Sequence, residues 1–249
     1  ELHGNKVEPI KDIRTALWGS LDEPIGSEAL CKRVKAGNTV ALIVSDMSRF
    51  WMRQDLVVPH LVDYLTQRCG VQEADISIVI ANGTHEGGDE QELRTLVTDA
   101  VYDRVRVENH DCEATDLVYL GTTPHGTPVS INRTAAQADI VICLGAVTHH
   151  VMAGFGGGRK SILPGISSRE TIFHNHAFSL DAAQLRSNPA IGNGVLKGNP
   201  LHEDMCEAAG LVKNLFIINL VMNAQMQLAA IFSGHYLSSW EQACRTVDK

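Results

Sequence analysis

The sequence contains no CxxC pair. Its six cysteines (Cys31, Cys69, Cys112, Cys143, Cys206 and Cys244) are scattered, which leaves zinc-ribbon and disulfide-scaffold readings without support. Thiols in a reducing, cytoplasmic setting are the expectation. No apolar run approaches the roughly 18–20 residues of a membrane span, and no secretory signal is recognisable. Basic charge is also in short supply: 21 Lys and Arg against 29 Asp and Glu give a formal charge of −8, which argues against a nucleic-acid surface. Internal repeats and low-complexity segments are missing too. Neither a HExxH helix nor a Walker loop occurs. In the one Gly-rich stretch that ends in lysine, Arg159 stands where the Walker pattern needs glycine.

What remains is an ordinary globular composition, 44 % hydrophobic over 249 residues, with the aromatic fraction low at 5 %. Residues 1–24 read as a lead-in segment. Residues 27–34, 56–69, 89–99, 177–187, 201–211 and 237 onward carry helical patterns. Continuous apolar runs at 39–46, 76–81, 138–147 and 214–222 read as buried parallel strands, and 227–234 as a weaker one. Shorter strand candidates lie at 103–111, 116–121 and 126–133, the last as a hairpin with its neighbour. Residues 187–200 are a loop rich in Gly, Asn and Pro. Strands alternating with helices predict an α/β, Rossmann-like domain with a largely parallel sheet flanked by helices.

Three of the buried strands end in polar residues: Asp46 with Arg49 in SDMSR, His85 in ANGTHEG, and the stretch THHVMAGFGGGRKSILPGISSRETIFHNH at 148–176. In a parallel sheet such ends share one edge, where open α/β folds build their sites. The last stretch holds His149, His150, His174 and His176, the glycines 154, 156, 157 and 158, and Lys160. Glycines there let backbone N–H groups approach an anion or ring closely. Arginine suits a carboxylate substrate, and two imidazoles on opposite sides of a substrate could exchange protons near neutral pH. His110 and His125 read as surface or structural residues.

These motifs, with GNPLHEDM at 198–205, resemble in collinear order those of the lactate racemase family, the nickel-pincer-nucleotide enzymes, over about residues 20 to 245. The resemblance implies racemisation or epimerisation of a 2-hydroxy acid or sugar acid. A histidine takes the proton of the C2 hydroxyl, hydride passes from C2 to the cofactor, and return on the other face inverts the centre. By position, the nickel-pincer nucleotide would be tethered through Lys160, with Gly156, Gly157, Gly158 and His149 around it. His176 would ligate nickel, His85 and His150 would move protons, Asp46 would orient a histidine and Arg49 would engage the carboxylate. The HH pair leaves His149 and His150 interchangeable, and His174 is read as a neighbour without a direct role.

The resemblance also implies cofactor-biosynthesis enzymes as partners and a smaller C-terminal domain completing the cleft. Residues 1–249 are then the N-terminal α/β domain, a fragment or processed form expected to be inactive by itself. Against this stand a metal-dependent hydrolase with Asp46 as ligand, a pyridoxal enzyme using Lys160, and a cofactor-free binding or assembly domain. Nickel and sulfur analysis, an absorbance spectrum and intact mass discriminate among them.

Overall fold

The computed structural model describes residues 7–248; the first six residues of the lead-in segment and Lys249 lie outside them. In chain order its main elements are α1 (Ile13–Asp22), β1 (Val40–Ser45), α2 (Val58–Gln67), β2 (Ile76–Ala81), α3 (Glu90–Val97), β3 (Arg106–Asn109), β4 (Val118–Thr122) and β5 (Pro128–Ile131). β6 (Ile140–Ala146), α4 (Arg169–Ala177), α5 (Pro200–Gly210), β7 (Leu215–Met222), β8 (Leu228–Gly234) and α6 (Ser238–Val247) follow. Within the described residues six strands form one sheet in the order β8-β7-β6-β1-β2-β3. All its pairings are parallel except β7 with β8.

The apolar runs explain this sheet directly. Successive side chains of a strand point to opposite faces, and here both faces are covered, so the central strands are apolar along most of their length, with the buried Asn219 of β7 an exception. Val40, Leu42 and Val44 of β1 enter one core with Ile140, Ile142 and Leu144 of β6 and with Leu61, Val62 and Leu65 of α2. Ala41, Ile43, Val141 and Cys143 enter the opposite core with Ile172 of α4 and Leu201, Met205 and Ala208 of α5. Burying a Leu, Ile or Val fully is worth roughly 1.5–3 kcal/mol, so a one-residue slip of any central strand would be heavily penalised. A third, smaller cluster joins Val147, Phe155 and Val221 to Trp240 and Cys244 of α6.

Two stretches depart from their sequence patterns. The lead-in segment contains α1, capped by the Asp12 carboxylate on the Thr15 N–H, with Leu17 and Leu21 buried. Residues 177–187 form no helix beyond Ala177; Leu180–Asp181 pairs instead with Arg186–Ser187 as a short antiparallel turn. Arg186 bonds Asp181 across it, and Leu185 takes a left-handed backbone, which breaks a helix there. The β4–β5 hairpin forms as its spacing suggests. Among the described residues no helix is long and apolar enough to cross a membrane.

Candidate active site

Strand order reverses at β1, whose neighbours β2 and β6 lead to opposite halves of the sheet. The crevice at such a switch point is where open α/β folds bind ligands. Here it is a cleft of about 400 Å³ whose lining includes Asp46, Arg49, His85, His150, Lys160 and His176. β1 delivers Asp46 and, on the tight turn Met47–Met52, Ser48 and Arg49. The buried Gln54 amide bonds both the N–H and the carbonyl of Ser45, which fixes that strand end. β2 delivers Asn82 to His85. Asn82 is buried, donates to Asn109 and to the His110 carbonyl, and accepts at its backbone oxygen from the His85 N–H.

On this side the groups are wired to an acid. Asp46 Oδ2 lies 2.5 Å from His85 Nδ1, so the carboxylate accepts a proton carried on Nδ1 and the Nε2 lone pair is left free. Ser48 Oγ donates to Asp46 Oδ1 and accepts from Arg49 Nη1 at 3.0 Å, tying acid and arginine together. His85 and Arg49 are exposed while Asp46 is mostly buried.

The other side is built after β6. The chain passes Thr148, makes a two-residue hairpin pairing His149–His150 with Gly154–Phe155, and enters the glycine loop and a turn at Gly158–Ser161. His150 Nδ1 accepts the backbone N–H groups of Met152 (3.2 Å) and Ala153 (3.1 Å), so its ring proton sits on Nε2. That Nε2 is 3.2 Å from Lys160 Nζ, and a donor facing an amine requires the amine lone pair. Burial, then the charges of Arg159 and Arg49, lower Lys160 to about 7. Burial, then Lys160 and the two arginines, lower His150 to about 4. His176 donates Nδ1–H to the Ile172 carbonyl at 2.9 Å, leaving Nε2 as a free ligand atom, and burial holds its pKa below the usual value.

The loop itself needs its glycines. Gly157 has φ 67°, and a Cβ there would stand 2.8 Å from the Val147 side chain and 2.9 Å from the Ala146 carbonyl. Gly158 (φ 53°) would meet Trp240 at 2.6 Å. Gly156 and Gly157 line the cleft, whereas Gly158 is packed behind it.

The cleft does not receive every expected residue. His149 packs against Phe155 with its ring tilted by 31°, bonds Asp248 and is not part of the cleft lining. His174 is exposed on α4, one residue from the buried Asn175. Asn175 anchors α4 by donating to the Leu201 carbonyl and to Asp204, a buried carboxylate that also accepts from Thr123 and Thr127. Among the described residues, one group of three His and carboxylate donors comes within metal-ligand spacing, His125, Asp204 and Glu207, and it does not line the cleft. Ser48 and Asn82 were given no role from the sequence, and Arg159 entered only as the residue that breaks the Walker pattern. Ser48 is foreshadowed by its place within SDMSR; nothing local marks Arg159 as other than a solvated base.

A family model described as the lactate racemase N-terminal domain matches residues 1–187. The lactate racemase of Thermoanaerobacterium thermosaccharolyticum is 31 % identical over 92 % of this chain and 52 % of its own length. That of Lactiplantibacillus plantarum is 32 % identical over 90 % of this chain and 51 % of its own. The chain thus spans about half the length of these curated relatives. The solved lactate racemase apoprotein from T. thermosaccharolyticum superposes with a TM-score of 0.85 at 30 % identity, over 96 % of this chain and 56 % of that one. A Thermotoga maritima protein superposes at 0.69 with 23 % identity and shares the fold, covering 95 % of this chain and 58 % of that one.

Proposed function

The chain belongs to the lactate racemase family, and from that premise we propose that it forms the catalytic wall of a 2-hydroxyacid racemase or epimerase. The reading adds that the enzyme carries a nickel-pincer nucleotide on Lys160, works in the cytoplasm, depends on cofactor-biosynthesis enzymes and is completed by a C-terminal domain. The observation that carries it is the opposed pair of imidazoles in one cleft, one with a bare Nε2 and the other with a protonated one. Inverting a carbinol centre through a flat keto acid needs a proton acceptor and a proton donor, and the cleft presents one of each.

The donor set suits the proposed cofactor. Lys160 projects into the cleft as a part-buried amine with no carboxylate among the described residues bonded to it, as an attachment nucleophile requires. His176 offers Nε2 as a ligand atom, and Gly156 and Gly157 leave room for a flat group. When bound, the nucleotide supplies hydride acceptance and return, which no amino-acid side chain offers.

The chain's own residues handle the carboxylate and the protons. The exposed Arg49 fork, steadied by Ser48, engages the substrate carboxylate. His85 Nε2 takes the hydroxyl proton, and Asp46 stabilises the resulting imidazolium through Nδ1. His150 gives its Nε2 proton to the re-forming hydroxyl oxygen. The two N–H groups on its Nδ1 and the charges of Arg159 and Arg49 steady the imidazolate this leaves, and the proton held by the exposed His85 resets it through solvent, so that both rings end neutral. Once Lys160 is acylated its nitrogen no longer accepts, and His150 Nε2–H is released for this work. The test is a chiral and solvent-exchange screen of 2-hydroxy and sugar acids with full-length, cofactor-loaded protein. Inversion of at least one acid supports the reading, and turnover of esters or amides without inversion replaces it with a hydrolase.

A further inference from the structure

Arg159 lies beside the proposed attachment lysine, is completely buried, and has a role in no proton or hydride step. Buried guanidinium groups normally meet a carboxylate. This one meets backbone. Nη1 donates to the carbonyls of Phe155 (2.9 Å), Gly156 (3.3 Å) and Gly157 (3.5 Å), and Nη2 to that of Ala153 (2.7 Å). The fifth partner is His202 Nδ1 at 3.0 Å. The Trp240 ring covers the guanidinium 4.0 Å from its centroid, stacks on His202, and donates Nε1–H to the Gly156 carbonyl. Its partners therefore come from one glycine-rich stretch and from α5 and α6.

We infer that Arg159 is a positioning residue that turns the carbonyls of loop 153–157 inward and thereby sets Lys160 in the cleft. A glycine-rich segment with φ of 73°, 67° and 53° at Gly154, Gly157 and Gly158 has little conformational preference of its own. A planar fork that collects four of its carbonyls supplies one. The constraint passes directly to Lys160, whose N–H bonds the Gly157 carbonyl at 3.1 Å. Lysine could not replace it, because an ammonium lacks the fork and the flat face that Trp240 covers.

The same arrangement leaves Arg159 uncancelled by any bonded carboxylate among the described residues. Lys160 is then faced by Arg159 behind, Arg49 across the cleft, the Nε2–H of His150 and the neutral His176. That set favours a free amine, and burial with Arg159 lowers Lys160 to about 7. His202, lowered to about 3 by burial and Arg159, remains an acceptor for the guanidinium. The inference takes from the proposed function only that Lys160 is the attachment point.

The test uses the unloaded protein and needs neither cofactor nor substrate. Lys160 is acylated with acetic anhydride across pH and quantified by peptide mass spectrometry against Lys11 and Lys213, with hydrogen exchange of the 153–160 amides read in parallel. Wild-type Lys160 should reach half-labelling near pH 7, far below the two reference lysines. Arg159→Met should raise that midpoint by about one unit or more and speed loop exchange roughly tenfold, with β1 and β2 unchanged. Arg159→Lys should not restore wild-type behaviour. If Arg159→Met does not fold, Trp240→Phe, which deletes the Nε1 bond and keeps a ring, should speed loop exchange alone. A folded Arg159→Met, or Trp240→Phe in its place, with unchanged loop exchange and midpoint overturns the inference and leaves the racemase reading standing. A wild-type Lys160 that labels with the reference lysines overturns both.

Discussion

The two walls of the cleft each carry an imidazole, in opposite electrostatic settings. On the β1–β2 side His85 is exposed and leans on a carboxylate, Asp46, itself joined through Ser48 to Arg49. On the β6 side His150 is half-buried among cations and backbone N–H groups, with no carboxylate among the described residues bonded to it. An acid on Nδ1 leaves a lone pair at Nε2; donors on Nδ1 leave a proton there. The contrast teaches that neighbours choose the tautomer, and that a cleft with two histidines becomes an acceptor–donor pair only because those neighbours differ.

The largest effect that could break the comparison lies at Lys160. Full-length protein co-produced with the cofactor-biosynthesis enzymes should carry a mass adduct on Lys160, and Lys160→Ala should lose it and all racemisation; an adduct on another lysine refutes the assignment. His176→Ala should leave the adduct and lose nickel, read by metal analysis, since one of few ligands is removed. His85→Ala and His150→Ala should keep nickel and each reduce racemisation by roughly 10²–10⁴-fold. Asp46→Asn should be milder. A hydrogen bond to a charged group is worth about 1.5–3 kcal/mol, or roughly 10- to 100-fold in rate. His149→Ala, which removes a ring packed against Phe155 outside the cleft, should change the rate less than about twofold. A large loss there together with an active His150→Ala would exchange the two roles.

The smallest effect concerns stability. Burial holds His110, His150, His176 and His202 below the ordinary value of 6.5. The unfolded chain therefore takes up protons first as pH falls. The stability these histidines confer is complete above about pH 6.5 and is lost progressively toward about 4 and below. The urea midpoint should fall between pH 7.5 and about 4.5. His202→Asn, which can still accept from Arg159, should lose less over the same interval.

The sheet was legible because strands covered on both faces carry long apolar runs, as 40–44, 140–147 and 215–218 do. The converging edge followed from that, and so did the placing of Asp46, His85, His150 and Lys160 around one cleft. Two kinds of feature were not legible. Helix α1 hides behind Gly19 and Ser20, and its amphipathy is completed only by packing on α2 and β8. The Arg159 cluster joins residues 153–159 to His202 and Trp240, and a single residue's charge gives no hint of such a contact. The HH pair was ambiguous for a related reason. In a two-residue strand neighbouring side chains face opposite ways, and only the register of His149 with Phe155 and His150 with Gly154 shows which one enters the cleft.

The most direct test of the central claim is long-range ¹H–¹⁵N NMR of the imidazole nitrogens in the unloaded protein at neutral pH, assigned with His85→Gln and His150→Gln. The expected result is a proton on Nδ1 of His85 and on Nε2 of His150, with the other nitrogen of each ring bare. The same tautomer in both rings, or an imidazolium at His150, would contradict the account.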